Sequence, residues 1–191
     1  MNRRIALKWF TRILGLACAL VVAVPGASFV IATVRRTKGD GPLVRRVARL
    51  QDLVPGRPFE APILASWRDA WIVHPEQPIG RVWLVRRTDE HTPPANSQVE
   101  VYSAVCPHMG CIVGWVPADK RFFCPCHKGA FNLSGEPIPS DQLGWQNPVP
   151  RPLDKLACHL VEEKSADSST WWVEVTYELF EQGATTQIAK T

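Results

Sequence analysis

Four cysteines and two histidines lie within a stretch of 26 residues, 106–131, which reads CPHMGCIVGWVPADKRFFCPCHKGAF. The whole chain of 191 residues contains six cysteines and five histidines. Thiolates bind soft or borderline metals, and imidazoles bind iron, zinc or copper. The concentration of both residue types in one stretch therefore predicts a metal site.

The six residues include two spaced pairs, Cys106-x-His108 and Cys124-x-x-His127, with 15 residues between the pairs. A cysteine and a histidine two positions apart can ligate together only from a loop, because a regular helix or strand aims these side chains in different directions. A proline directly follows the first cysteine of each pair and restricts the backbone there. The pattern predicts two loops that close on a metal from opposite sides.

This spacing resembles that of the Rieske iron–sulfur family, which has C-x-H, about 16 residues and then C-x-x-H. The resemblance covers the chain from about residue 47 onward. It implies that Cys106 and Cys124 bind one iron of a [2Fe–2S] cluster, while His108 and His127 bind the other. Neutral imidazoles in place of two thiolates raise the potential to about −150 to +300 mV. An imidazole bound to iron also adds a proton switch that can follow the oxidation state.

Cys111 and Cys126 match no ligand position of the family. In its members from quinol-oxidising complexes, the equivalent cysteines form a disulfide between the cluster loops, and an exported compartment would permit this bond. The alternative is a pair of buried thiols.

For the whole set of cysteines and histidines the alternative is a structural zinc site, although zinc sites favour C-x₂₋₄-C pairs and histidines three to five residues apart. Cys18 and the Cys158-His159 pair lie outside the motif, and we expect packing roles for them.

High-potential members of the family continue as C-P-C-H-G-S-x-Y, where the serine and tyrosine hydroxyls donate hydrogen bonds to cluster and cysteine sulfurs. Here Gly129 stands at the serine position and Phe131 at the tyrosine position. A hydrogen bond to a charged group is worth about 1.5 to 3 kcal/mol, and about 59 mV corresponds to a tenfold change in a one-electron equilibrium. We therefore expect a potential lower by about 100 mV or more, which suits menaquinol better than ubiquinol.

The run from Asn147 to Leu153 resembles the family's proline-rich third loop, which shields the cluster, with Asn147 where glycine is usual.

The elements that position these residues are predicted to be β-strands. Proline and glycine together number 29, which favours a turn-rich fold. Apolar and β-branched runs recur at 59–65, 70–73, 81–85, 98–105, 156–161 and 171–177. They predict an antiparallel sandwich or partly open barrel, with a loop-built cluster-binding subdomain at about 105–152. Residues 44–53 could begin with a short helical turn, and residues 181–191 have the composition of a polar tail.

A membrane anchor precedes this domain in the sequence. Residues 13–34 run for 22 residues without a charge, enough at about 1.5 Å each to cross a hydrocarbon core of about 30 Å. We expect a transmembrane helix kinked at Pro25. A cleaved signal peptide is the alternative, but its apolar region would be only about 7 to 15 residues long. Residues 35–46 predict a flexible tether, followed by the Rieske domain at 47–191.

Charge and an export motif together predict the orientation. Residues 1–38 carry seven basic and no acidic residues, which leaves 15 basic against 18 acidic residues in the remainder. The basic excess therefore flanks the membrane and is not a nucleic-acid footprint. Residues 2–8, NRRIALK, resemble a twin-arginine export signal. We expect residues 1–12 in the cytoplasm, a single pass through the inner (plasma) membrane, and the head on the periplasmic or exported side.

The resemblance implies an electron-transfer subunit of a quinol-oxidising cytochrome bc complex. His127 would take the hydrogen bond and a proton of quinol, one electron would enter the cluster, and the head would pass it to a c-type cytochrome. Implied partners are a cytochrome b-type subunit, a c-type cytochrome, quinol and membrane lipid within a multisubunit, dimeric complex. Two alternatives stay open: the Rieske small subunit of another exported oxidoreductase such as arsenite oxidase, and a zinc-stabilised interaction domain.

Overall fold

A computed structural model gives the three-dimensional structure of most of the chain. It describes residues 3–34, 43–69, 72–165 and 168–190. The chain divides into two compact units, Met1–Gly41 and Pro42–Thr191.

The described part of the first unit is the helix α1, which spans Arg3–Val34 and continues through Pro25. Its most apolar window of 18 residues has a mean hydropathy of 2.3. An apolar helix of this length is long enough to cross a bilayer. It begins ten residues before the apolar run, because the basic residues at the start of the chain are also good helix formers.

The second unit is built from antiparallel strands. Those in its described part are β1 Leu43–Arg49, β2 Phe59–Asp69, β3 Ile72–Arg86, β4 Val99–Ser103, β5 Gly114–Val116, β6 Arg121–Cys124, β7 Gly129–Phe131, β8 Lys155–Leu156, β9 Cys158–Lys164 and β10 Ser169–Tyr177. They form three sheets in the orders β1-β10-β9, β2-β3-β4-β8 and β5-β6-β7, and every strand pair is antiparallel. The predicted antiparallel β class is confirmed.

Strand β3 lies between two hydrophobic cores. Val82 and Leu84 belong to one core, and Trp83 and Val85 to the other, as the alternation of side chains along a strand requires. The first core lies between the three-stranded sheet of β1, β9 and β10 and the four-stranded sheet. The second joins the other face of the four-stranded sheet to the loops and strands between β4 and β8, and both predicted cysteine ligands belong to it. We call the sandwich formed by the sheets β1-β10-β9 and β2-β3-β4-β8 the trunk. The trunk directly supports the candidate site.

The start of the second unit differs from the sequence-based expectation. Strand β1 pairs with β10 from Leu43 onward, with Leu43 opposite Tyr177 and Arg46 opposite Glu174. The last four residues of the predicted tether, 43–46, are therefore part of a sheet, and the remaining tether residues, 35–42, lie outside the described residues. A 3₁₀ turn is present at Leu50–Asp52, so the helical turn considered for 44–53 follows the strand and does not begin the segment.

Two further segments differ from the prediction. Strands β2 and β3 continue past the predicted runs into a long hairpin, where residues 70–71 lie outside the described residues. The predicted polar tail folds back on the domain: Phe180 pairs with Ala189, the Glu181 amide donates to the Ile188 carbonyl, and the Lys190 amide donates to the Leu179 carbonyl. We call residues 179–190 the C-terminal hairpin. Its contacts are long-range, which composition could not indicate.

Candidate metal centre

The first predicted ligand pair lies on a short loop, Cys106–Cys111, whose two ends are tied together. The Cys106 amide donates to the Cys111 carbonyl at 2.7 Å, and the Gly110 amide donates to the Cys106 carbonyl at 2.9 Å. Gly110 has a φ of +79°, a left-handed conformation that glycine adopts without a steric penalty. The loop therefore turns back on itself within six residues and holds His108 at its tip.

The second predicted pair lies in the tight turn between β6 and β7. Cys124 ends β6 and is paired with Gly129, the first residue of β7. The intervening residues, 125–128, form the turn, in which Lys128 has a φ of +61°. This hairpin places Cys124 inside the sheet and His127 at the outer end of the turn.

The two predicted thiol ligands lie together in the second core. Cys106 is 1% exposed and Cys124 is 2% exposed. Burial raises the pKa of the Cys106 thiol to about 12, the neighbouring Cys124 raises it further, and the backbone amides of His108 and Met109 oppose this shift by hydrogen bonding to the sulfur. A thiolate ligand here therefore needs positive charge beside it, which a bound metal supplies.

The two predicted histidine ligands lie against one another on the outer side of the site. The ring centroids of His108 and His127 are 4.9 Å apart, and the rings are nearly perpendicular, at 89°. His127 is exposed and His108 is half-buried. The structure thus brings all four predicted ligands to one place, with the sulfurs inside and the imidazoles outside.

The remaining two cysteines of the motif form a disulfide, as expected from the resemblance. Cys111 and Cys126 are bonded, with their Cα atoms 6.6 Å apart. The sulfur of Cys124 lies within 4.8 Å of both of theirs, so the disulfide stands directly beside a predicted ligand. Because this bond occupies two of the six Cys and His side chains, the donors left are two thiols and two imidazoles. That set fits a [2Fe–2S] cluster held by Cys₂ on one iron and His₂ on the other.

The third loop covers the thiol side of the site. A Cβ atom on Gly129 would lie 2.7 Å from Val149 Cγ1 and 3.7 Å from Cys106 Sγ, so Val149 fills the space beside the predicted ligands. Asn147 fastens this loop to β7, since its side-chain amide donates to the Ala130 carbonyl at 2.8 Å and its side-chain oxygen accepts from the Ala130 amide at 3.2 Å. Asn147 thus makes contacts that a glycine could not make.

Sequence reasoning missed two residues beside the site, Arg151 and Gly183. Arg151 is 4% exposed and forms an ion pair with the equally buried Asp154. Its guanidinium also donates to the carbonyls of Ala184 and Glu181 in the C-terminal hairpin. The Gly183 amide donates to the carbonyl of Pro107 at 2.8 Å. Only the arginine following a proline-rich run was visible in the sequence, and its partners in the C-terminal hairpin lie 30 or more residues away.

Comparison with known proteins agrees with this geometry. The sequence profile of the Rieske [2Fe-2S] domain matches residues 47–147. The cytochrome b6-f complex iron-sulfur subunit of Chlorobaculum thiosulfatiphilum is 55% identical over 58 residues, which cover 30% of this chain and 28% of that protein. The chloroplastic cytochrome b6-f complex iron-sulfur subunit of Chlamydomonas reinhardtii is 37% identical over 79 residues, 40% of this chain and 35% of that protein. The chain therefore matches about a third of the length of these relatives.

Two solved structures are also similar. The plasma membrane Rieske protein PetC3 from Synechocystis PCC 6803 is 26% identical, with a TM-score of 0.33 over 51% of this chain and 79% of that chain. A chain of a hyperthermophilic respiratory Complex III is 20% identical, with a TM-score of 0.37 over 82% of this chain and 97% of that chain. Because the domain profile covers more than half of the chain, this protein belongs to the Rieske [2Fe–2S] domain family and binds a [2Fe–2S] cluster.

Proposed function

We propose that this protein is the membrane-anchored electron-transfer subunit of a quinol-oxidising cytochrome bc-type complex. The observation that carries the proposal is the position of the two imidazoles, which meet at the surface above two buried thiols. A partner molecule can therefore reach the histidine side of the cluster and not the cysteine side. We assign Cys106, His108, Cys124 and His127 as the cluster ligands.

The surface beside the histidines suits an apolar partner pocket. Met109 is 65% exposed and Ile112 is 48% exposed, and both lie on or next to the first loop, close to His108 in sequence. Exposed apolar side chains on a ligand loop are typical of a surface that becomes buried against a partner. A quinol pocket in a cytochrome b-type subunit has this character, since quinols are apolar molecules with two hydroxyl groups.

In the proposed reaction, the exposed His127 imidazole hydrogen-bonds the quinol hydroxyl and receives its proton. The bound [2Fe–2S] cluster supplies a one-electron acceptor next to that proton acceptor. Oxidation of one quinol to quinone releases two electrons and two protons, so one electron and one proton enter this chain, the second electron goes to a b-type haem, and the second proton is released to the exported side. His127 then loses its proton to the exported side, and Val149 keeps the third loop packed against the thiols.

The anchor and the relatives support a membrane complex. Helix α1 is apolar and long enough to span a bilayer, and the twin-arginine-like residues 2–8 support a head on the exported side. Similar curated proteins are described as cytochrome b6-f complex iron-sulfur subunits. We extend that role to this chain with a c-type cytochrome as the electron acceptor.

The residues around the thiols favour a quinol of low potential. Gly129 and Phe131 are both buried and offer no hydroxyl group, although family members of high potential carry one at each position. Fewer hydrogen bonds to the sulfurs make the reduced cluster less stable and so lower the potential. We therefore propose menaquinol as the donor.

Purification from native membranes tests the complex. Full-length protein carrying an N-terminal tag is extracted in mild detergent, and the bound cofactors are identified by absorbance and mass spectrometry. We expect b-type haem in a fixed ratio to the cluster. A molybdopterin protein in place of the haem would instead indicate an exported oxidoreductase of the arsenite oxidase kind. A chain that contains zinc and shows no paramagnetic signal on reduction would contradict electron transfer altogether.

A further inference from the structure

The C-terminal hairpin, residues 179–190, contacts the first ligand loop. The Gly183 amide donates to the Pro107 carbonyl at 2.8 Å, and Pro107 is fully buried between Cys106 and His108. The hairpin also covers the far end of this loop, because a Cβ atom on Gly110 would lie 3.5 Å from Gln182 Cγ. The hairpin therefore packs along the loop that carries two of the assigned ligands.

The Pro107–His108 peptide has hydrogen bonds on both of its sides. Its carbonyl accepts from Gly183, and its amide, the N–H of His108, is a backbone hydrogen-bond donor to the Cys106 thiol. A peptide unit is planar, so a donor that fixes the carbonyl also fixes the direction of the N–H. A bond to the carbonyl further polarises the unit and strengthens the N–H as a donor.

Arg151 fastens the hairpin to the domain. Its Nη1 donates to the Ala184 carbonyl at 2.6 Å, and its Nη2 donates to the Glu181 carbonyl at 2.7 Å. Its Nε and Nη2 also bind the two carboxylate oxygens of Asp154 at 2.9 and 2.8 Å. The buried charge is thus neutralised on one side, and the same planar group holds the two residues that flank Gln182 and Gly183. A lysine could not reproduce this fork.

We propose that Arg151 is a positioning residue for the cluster: through the C-terminal hairpin it orients the Pro107–His108 peptide, whose N–H stabilises the Cys106 thiolate. Hydrogen bonds to cluster sulfurs raise the reduction potential of an iron–sulfur centre. Arg151 therefore raises the potential from a position outside the ligand loops. The inference rests on the ligand assignment within the proposed function and does not depend on quinol as the donor.

Two variants of the full-length chain in detergent remove this support in different ways. Arg151→Lys keeps the charge next to Asp154 but loses the planar guanidinium that donates to Asp154 and to the two hairpin carbonyls at once. Truncation after Phe180 removes the hairpin turn with Gly183, while the Arg151–Asp154 pair and the buried Phe180 stay. The truncation decides the outcome if Arg151→Lys does not fold. Val173→Ala, in the trunk core, is the control for lost stability, and Gln187→Ala is the control within the hairpin, since the Gln187 side chain donates to the Lys155 carbonyl in the trunk.

The readouts are the midpoint potential, the paramagnetic resonance spectrum of the reduced cluster and hydrogen exchange at the Gly183 amide. We expect both variants to lower the potential by about 59 mV, equivalent to a tenfold change in the one-electron equilibrium, and to alter the spectrum, while both controls keep wild-type values. A wild-type potential in the truncated chain, or an equal shift in Val173→Ala, would overturn the proposal. So would free exchange of the Gly183 amide in the wild type. These readouts do not involve quinol, so they test the inference even if the chain does not take part in quinol oxidation.

Discussion

The side chain of Val149 occupies the space that a side chain on Gly129 would need: a Cβ atom on Gly129 would lie 2.7 Å from Val149 Cγ1. The same Cβ atom would lie 3.7 Å from Cys106 Sγ, within reach of a hydroxyl carried one atom further out. The third loop therefore packs against Gly129 and fills the space in which a side chain with a hydroxyl group would stand. The two residues together keep hydrogen-bond donors away from this side of the sulfur.

The double variant Gly129→Ser/Val149→Ala should raise the cluster potential. It introduces a hydroxyl beside Cys106 and removes the methyl groups that would collide with it. One hydrogen bond to a charged sulfur should raise the midpoint potential by about 50 mV or more, measured by redox titration of the full-length chain. Val149→Ala is the matched control, and we expect its potential to stay near that of the wild type. A double variant at the control's potential would contradict this role for Gly129.

The single variant Gly129→Ser should be unstable. The contact with Val149 forces an adjustment in a fully packed region, which costs about 1 to 3 kcal/mol. Thermal unfolding of the single and double variants measures the difference. We expect the double variant to be the more stable of the two, and the reverse order would show that Val149 is not the obstacle.

The Cys111–Cys126 disulfide should contribute strongly to stability, because it joins the two ligand loops. A loop closed by a bond across 15 residues of sequence is expected to stabilise the fold by about 3 kcal/mol. The double variant Cys111→Ser/Cys126→Ser should therefore unfold at a temperature lower by about 6 to 12 °C and release iron faster. Cys18→Ser, in helix α1, is the control for the loss of a cysteine. Unchanged thermal unfolding without the disulfide would refute this role.

Glu100 should make the protein's stability depend on pH in the acid range. Burial opposes its charge, but hydrogen bonds from Lys155, Tyr102 and Arg87 outweigh burial and lower the pKa of Glu100 to about 2. In the unfolded chain the pKa is about 4.3. The ionised Glu100 therefore stabilises the fold fully above about pH 5, and this stabilisation is lost as the pH falls towards 2.

The variant Glu100→Gln measures this effect. At pH 7 we expect it to be less stable than the wild type by about 1 to 2 kcal/mol, a value reduced by the partial exposure of the group. The difference should shrink steadily between pH 5 and pH 2. Urea unfolding across this range gives the comparison, with the exposed Glu178→Gln as the control. A difference that does not change with pH would disprove the assignment to the charge of Glu100.

Restriction of the tether should slow electron delivery without changing the cluster. Residues 43–46 belong to β1, so this prediction concerns the rest of the proposed tether, residues 35–42. We expect Gly39→Pro/Gly41→Pro to lower the quinol-dependent reduction rate of the c-type cytochrome several-fold in the isolated complex, because proline fixes the backbone. The paramagnetic resonance spectrum of the cluster should stay the same. Normal turnover in this variant would count against a mobile head.

The sequence allowed prediction of the features that depend on local pattern. The spacing of Cys106, His108, Cys124 and His127 identified residues that the structure brings together, and the apolar run at 81–85 indicated a β-strand. The disulfide followed from the resemblance of Cys111 and Cys126 to paired cysteines in the family. Each of these features is carried by residues close together in the chain or by a known motif.

Features that depend on distant partners could not be predicted. The C-terminal hairpin consists mainly of polar residues, and nothing in its composition indicates the contact between Gly183 and Pro107, which are 76 positions apart in the sequence. The same is true of Leu43, which joins a sheet through its pairing with Tyr177. Sheet pairing between the two ends of a domain is decided by tertiary packing and not by local propensity.

The most direct test of the proposed function is the fate of the two electrons of one quinol. The oxidised complex, purified through this chain, is mixed with less than one equivalent of menaquinol, and the reaction is stopped by freezing. We expect the amount of reduced b-type haem to equal the quinol consumed, and the reduced cluster and reduced c-type cytochrome together to equal it as well. Quinol oxidised without reduction of either the cluster or the c-type cytochrome, or a cluster reduced without any b-type haem, would contradict the assignment of this chain to a quinol-oxidising cytochrome bc-type complex.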